Sequence, residues 1–190
     1  MSNDRSGSGS RLVDIGRFIL DNGWMPAAAS FDITSTVDFQ EVDNALNQAR
    51  KEVAQRYDFK GATADIVLSE KDKTLTLMTD DEMKMNALWE IVQTRLVRRG
   101  VAIKNFKKTD SEPAAGGKMR RLIPIQQGIP IEAARDIVKF LKDQKLKKVQ
   151  AAIQADQVRV TSPSRDELQL AIHALKEHDF GVALQFGNYR

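Results

Sequence analysis

Two stretches of this chain repeat one pattern. TLTLMTDDEMKMNALWEIV (74–92) and QVRVTSPSRDELQLAIHAL (157–175) each read as a strand, a short polar turn, an acidic helix start and then apolar residues at helical spacing. The likeness is of pattern more than of identity, and it points to a duplicated unit. That constrains the fold strongly, because an order of elements found around one copy must recur around the other.

Both halves meet that demand. In the first, FDITSTV (31–37) alternates as a half-buried strand, and Asp38 can cap the next helix with Glu41 as a capping-box partner. That helix carries Val42, Ala45, Leu46, Ala49 and Val53 on one stripe. TADIVLS and TLTLMT form a hairpin across EKDK, DDEMKMNALWEIVQTRLVRRG (80–100) is a helix that stops at Gly100, and VAIKNF (101–106) is expected as a fourth strand. After KKTDSEPAAGGK (107–118), a linker by composition, the order begins again. MRRLIPI is a strand and IPIEAARDIVKFLKDQ a helix; VQAAIQA and QVRVTS form a tight hairpin about Ala155-Asp156. SRDELQLAIHALKEHDF is a helix capped by Ser164, and VALQFGNY is the last strand.

The order βαββαβ, twice, predicts an α+β protein of two tandem ferredoxin-like domains, each a four-stranded antiparallel sheet with two helices on one face. The expected divisions are a leader over 1–24, a first domain over 25–108, a linker over 109–118 and a second domain over 119–190. Tandem repeats of this kind can exchange a terminal strand, so FDITSTV has two candidate sheets.

Composition narrows the function. A net charge of +3 spreads no blanket of positive charge, so any anion site must be local. There is no cysteine and only His173 and His178, which leaves no thiolate nucleophile and no ordinary metal-ligand set. The chain shows no membrane span and no signal-peptide core, and a cytoplasmic location is expected. No Walker loop, no GxGxxG and no nucleophile-base-orienter set occurs, so the reading is a protein without catalysis, cofactor or metal. Strand alternation turns Gln150, Ala152, Gln154, Arg159, Thr161 and Gln185 outward in the second half, and Asp32, Thr34, Thr74, Thr76 and Lys104 in the first. These faces are polar and poor in aromatics, unlike the base-stacking sheet of an RNA-recognition motif.

Two stretches are candidate anion sites. In RYDFKGA (56–62), Arg56, Lys60 and the amides near Gly61 can meet an anionic ligand, with Phe59 beside a base; the structural alternative has Phe59 and Tyr57 plugging the core and Gly61 at positive φ. In AAGGKMRR (114–121), the amides of Gly116 and Gly117 can form an anion-holding concavity flanked by Lys118, Arg120 and Arg121; the alternative is a solvated linker.

SFDITSTVDFQEVDNALNQARKEVAQRYDFKG, GGKMRR, KLKKVQAAIQADQVRVTSPSRDELQ and the closing LQFGNYR together resemble the YajQ family of bacterial proteins over about residues 29 to 190. The resemblance implies a cytoplasmic protein of two ferredoxin-like domains that binds a nucleotide, with cyclic di-GMP as the favoured guanine ligand and a regulatory protein as downstream partner. Apart from the resemblance, the residues leave RNA open as a partner, bound through the basic linker and the polar sheet faces. On that resemblance Arg120, Arg121, Arg159 and Arg190 are candidates for phosphate or guanine contacts, and Asp32 or Asp58 for guanine N1 and N2.

Overall fold

The computed structural model describes residues 28–190 apart from Lys147, so the expected leader lies outside the described residues. Eight strands and four helices follow in order: β1 (Ala29–Thr34), α1 (Phe39–Gln55), β2 (Ala64–Ser69), β3 (Thr74–Thr79), α2 (Glu82–Arg98), β4 (Glu112–Ala114), β5 (Lys118–Pro124), α3 (Ile131–Asp143), β6 (Gln150–Gln154), β7 (Gln157–Ser162), α4 (Arg165–Glu177) and β8 (Gln185–Gly187). They build two antiparallel four-stranded sheets, β2-β3-β5-β4 (sheet I) and β6-β7-β1-β8 (sheet II). This is the tandem ferredoxin-like α+β architecture that the repeated pattern predicts.

Side-chain caps set the starts of α1 and α4. The Asp38 carboxylate accepts from the Gln40 and Glu41 amides at 2.9 and 3.3 Å, and Ser164 Oγ accepts from the Glu167 amide at 3.4 Å. Glu41 does not close a capping box; its carboxylate takes the Asn44 amide and lies 3.6 Å from Arg99. The α1 stripe of Val42, Ala45, Leu46, Ala49 and Val53 packs with Leu75 and Leu77 of β3 and with Leu88, Val92 and Leu96 of α2. Phe31 and Ile33 of β1 instead pack with Ile137 of α3, Val158 and Val160 of β7, and Ala171 and Leu175 of α4.

The crossing of β1 decides the remaining topology. It pairs with β7 and β8 rather than with its sequence neighbours, the second of the two sheets open to it. MRRLIPI, expected to begin the second half, is β5 and pairs with β3 along its whole length. VAIKNF, expected as a strand, is instead a 3-10 turn over Ile103–Asn105 with a single bridge from Phe106 to Ile125. β5 already occupies the place beside β3, and the turn carries Asn105 inward. The stretch expected as a linker holds β4 and the hairpin turn into β5. The last strand is shorter than VALQFGNY suggests.

Asn105 is fully buried and ties the two sheets together. Its Nδ2 donates to Ser35 Oγ at 3.1 Å, its Oδ1 accepts from the Ala183 amide at 3.1 Å, and its carbonyl takes the Gln126 amide at 2.7 Å. Close by, Gly128 sits at φ +78° and donates to the Ser35 carbonyl at 2.7 Å. A Cβ on Gly128 would come within 2.7 Å of the Asp156 Cβ, at the β6–β7 turn. Gly128→Ala is therefore expected to cost about 2 kcal/mol, from positive φ and overpacking together, read as a lower denaturation midpoint at unchanged m-value.

Candidate functional site

The open face of sheet II is polar because alternation makes it so. Phe31, Ile33, Val158 and Val160 turn inward, so Ser30, Asp32, Thr34, Gln157, Arg159 and Thr161 turn out, as the sequence pattern requires. Asp32 stands directly across from Arg159 on one side and Gly187 on the other. The Arg159 fork closes on its carboxylate with Nε–Oδ1 at 2.7 Å and Nη2–Oδ2 at 2.8 Å. Asn188 Nδ2 adds a third bond at 2.5 Å, and Arg190 Nε reaches Asn188 Oδ1 at 3.4 Å.

This network explains two of the motifs that opened and closed the resemblance. Between Asp32↔Gly187 and the Ser30–Arg190 backbone pair the closing segment has one residue more than β1, a bulge. Asn188 takes the left-handed conformation there, at φ +52°, which asparagine tolerates better than most residues. Its side chain then reaches Asp32. The Gln185 carboxamide bonds the amide, hydroxyl and carbonyl of Thr36, and Phe186 packs 6.0 Å from Phe31. Asp32 is 5% exposed, and its hydrogen bonds from Arg159 hold its carboxyl down to about 2 against the opposing effect of burial, with Asn188 and the charges of Arg159 and Arg190 adding to the shift.

Beside this network a cleft of about 350 Å³ opens between α4 and the closing segment. Leu168 and Ile172 of α4 supply its apolar lining, and Ser30, Arg165, Gln169, Tyr189 and Arg190 its polar rim. Tyr189 is 60% exposed, its ring centroid 6.3 Å from that of Phe31 and the rest of the ring open to solvent. Arg165 is the first residue of α4, so a positive side chain and the positive end of the helix meet at one place. The cleft thus joins a flat aromatic surface to two guanidinium groups, within the size range of small-molecule sites.

The other sequence candidates fall elsewhere. Arg56 and Asp58 bond each other bidentately at 2.9 and 2.8 Å, and this pairing holds the Asp58 carboxyl below the ordinary range. Phe59 is buried in the sheet I core, Gly61 has φ +79°, and Tyr57 and Lys60 face solvent. Gly116 and Gly117, both at positive φ, make the turn between β4 and β5. Lys118 opens β5 at the end of sheet I from which the 56–62 loop also emerges, since Ala64, Thr79 and Met119 share one row. Arg120 pairs with Glu112 at 2.8 Å. Arg121 points toward the helices, 2% exposed, bonded to Glu82, Asn86 and Ser111; its Nη1 is buried without a partner among the described residues. Of the thirteen residues singled out in the sequence, the structure brings Asp32, Arg159 and Arg190 together on sheet II. Ser30, Arg165, Gln169 and Tyr189 were not singled out. A basic residue at a helix start, where acids are preferred, is the one sequence signal that could have marked Arg165.

Among the described residues no group of histidine and carboxylate side chains could hold a metal ion, and no helix is long and apolar enough to cross a membrane.

A family model described as "Nucleotide-binding protein YajQ-like" matches residues 29–190. A protein of Trichlorobacter lovleyi named "Nucleotide-binding protein" is 48% identical over 161 residues, 85% of this chain and 98% of the relative. One of the same name from Solibacter usitatus is 50% identical over 161 residues, 85% of this chain and 96% of the relative. Another from Roseiflexus sp. is 47% identical over 168 residues, 87% of this chain and all of the relative.

Proposed function

This chain belongs to the YajQ-like family, and from that premise we propose that it is a non-enzymatic nucleotide-binding protein whose site is the cleft between α4 and the closing segment of sheet II. The convergence of Arg165, Arg190 and exposed Tyr189 on one cleft carries the reading. A phosphate meets the two guanidinium groups and the first amides of α4, and a base lies on the tyrosine ring. Ser30 and Gln169 supply the hydrogen bonds that orient it. The relatives' name, nucleotide-binding protein, agrees with a nucleotide ligand.

The favoured ligand is cyclic di-GMP, and the response is regulatory, passed to a protein partner. The cleft has room for one nucleotide half. The second half would extend over the open face toward Arg159, two residues along the sheet from Ser30 and Arg190. RNA remains the second reading, favoured by the polar face around Arg159. It predicts affinity that falls steeply with salt and no preference for a cyclic dinucleotide.

Calorimetric titration of the full chain with cyclic di-GMP, GTP, GMP and a short RNA, at two salt concentrations, tests this. Saturable binding of cyclic di-GMP is expected, reduced at least about tenfold by Arg165→Ala, by Tyr189→Ala and by Arg190→Ala, each loss corresponding to about 1.4 kcal/mol or more. The Arg190 backbone pairing with Ser30 is unaffected by that last change. Loss in Lys60→Ala with Arg165→Ala unaffected would move the site to the 56–62 loop and the Gly116-Gly117 turn. Absence of any nucleotide binding would overturn the proposal.

A further inference from the structure

Four strands form the edges of the two sheets, and three are protected in ways that proteins use against edge pairing. β2 carries Asp65, and Arg50 covers it by donating to the Ile66 carbonyl at 3.2 and 2.8 Å. β4 carries Glu112 and Pro113. β8 is three residues long and ends in the Asn188 bulge. β6 has none of these devices. Its sequence is QAAIQ, without charge or proline, and no described residue pairs with its outer edge.

The hydrogen-bond phase of that edge follows from its turn. Ala155-Asp156 is a two-residue hairpin loop, with Ala155 at φ +53°, so Gln154 and Gln157 are the hydrogen-bonded closing pair. Alternation makes Ala152↔Arg159 and Gln150↔Thr161 hydrogen-bonded pairs as well. The N–H and C=O groups of Ala151 and Ile153 therefore point away from β7, to the free edge. QAAIQ is also nearly symmetric about Ala152. A second copy laid antiparallel on it sets Ala151 against Ile153 twice, Gln150 against Gln154 twice, and Ala152 against itself.

We infer that β6 pairs with β6 of a second copy about a twofold axis through Ala152, joining two copies of sheet II into one eight-stranded sheet. Each Ala151–Ile153 pair exchanges two backbone hydrogen bonds, and the Ala152 pair is the close, non-hydrogen-bonded one, where only a small side chain belongs. The axis is perpendicular to the sheet, so both polar faces lie on the same side. The two Arg159 side chains are then three strand spacings apart, about 14 Å. The contact is small, which sets an affinity in the micromolar range or weaker.

Sedimentation velocity of the full chain over micromolar to millimolar concentrations should show a monomer of 21.3 kDa converting to a dimer. Ala152→Lys and Ala152→Glu change an exposed side chain. Each alone should be monomeric, because like charges would face one another across the axis, and an equimolar mixture should recover a dimer. Amide exchange gives the second readout: the Ala151 and Ile153 amides should slow as wild-type concentration rises, while those of Gln150 and Ala152 are slow throughout. Monomer at every concentration, a dimer that persists in both variants, or fast exchange at Ala151 and Ile153 in the dimer would each overturn the inference.

Discussion

Asn105→Ala should lower folding stability by about 3 kcal/mol and divide one cooperative unfolding transition into two. The side chain is fully buried, and truncation strands the Ser35 hydroxyl, itself fully buried, together with the Ala183 amide. An unsatisfied buried group costs about 1–3 kcal/mol; the Ser35 hydroxyl is fully buried and the Ala183 amide part-buried, so the hydroxyl carries most of the loss. Location makes the effect cooperative as well as large. Ser35 follows β1 and Ala183 precedes β8, both of sheet II, whereas Asn105 sits in the turn after α2 of sheet I. The nearby Lys104–Asp179 pair, at 3.0 Å but exposed on both sides, adds little. Differential scanning calorimetry reads both parts of the expectation. A single transition shifted by less than 1 kcal/mol would show that Asn105 does not couple the sheets.

How Asn105 works also shows where sequence reasoning stops. The helices are legible because their causes are local: the α1 stripe, the Asp38 cap and the Ser164 cap each lie within a few residues of what they act on. The outward faces of sheet II are legible for the same reason, since alternation needs no knowledge of a partner. Which strands share a sheet is a different matter. MRRLIPI and FDITSTV each satisfy a strand pattern, but only long-range packing decides that one pairs with β3 and the other with β7 and β8. Asn105 was hidden inside an apparent strand because its role is to bond residues at 35 and 183. The candidate site divides similarly. Arg159 and Arg190 could be marked as arginines on or near an outward face, but Ser30, Arg165, Gln169 and Tyr189 become neighbours only once β1 has crossed to the second half. RYDFKGA misleads in the opposite direction: its charges look available for a ligand, yet Arg56 and Asp58 bond each other and Phe59 fills the core.

Asp32→Asn should destabilise the protein by about 3 kcal/mol at neutral pH, with about 2 kcal/mol of that difference from wild type lost in acid. The variant keeps the shape of the carboxylate but turns amide hydrogens toward an arginine that offers only donors, so at least one bond of the 2.7 and 2.8 Å pair is lost. Asp32 is held to about 2 in the folded protein, chiefly by the Arg159 hydrogen bonds, against an ordinary value of 3.8. Depression of that size corresponds to about 2 kcal/mol, and the unpaired groups left by the substitution account for the remainder. Because the folded value is the lower one, this stabilisation is fully present above about pH 4 and is lost as pH falls through about 2. Asp58, Asp81 and Asp179 are lowered as well, but they are common to both proteins and cancel in the difference. Urea denaturation of both proteins at intervals from pH 7 to pH 2 measures the gap directly. A gap that is constant with pH would mean that Asp32 contributes by packing rather than charge. Narrowing by about 2 kcal/mol between pH 4 and pH 2 would assign that part of the stabilisation to the ion pair that holds Arg159 beside the cleft.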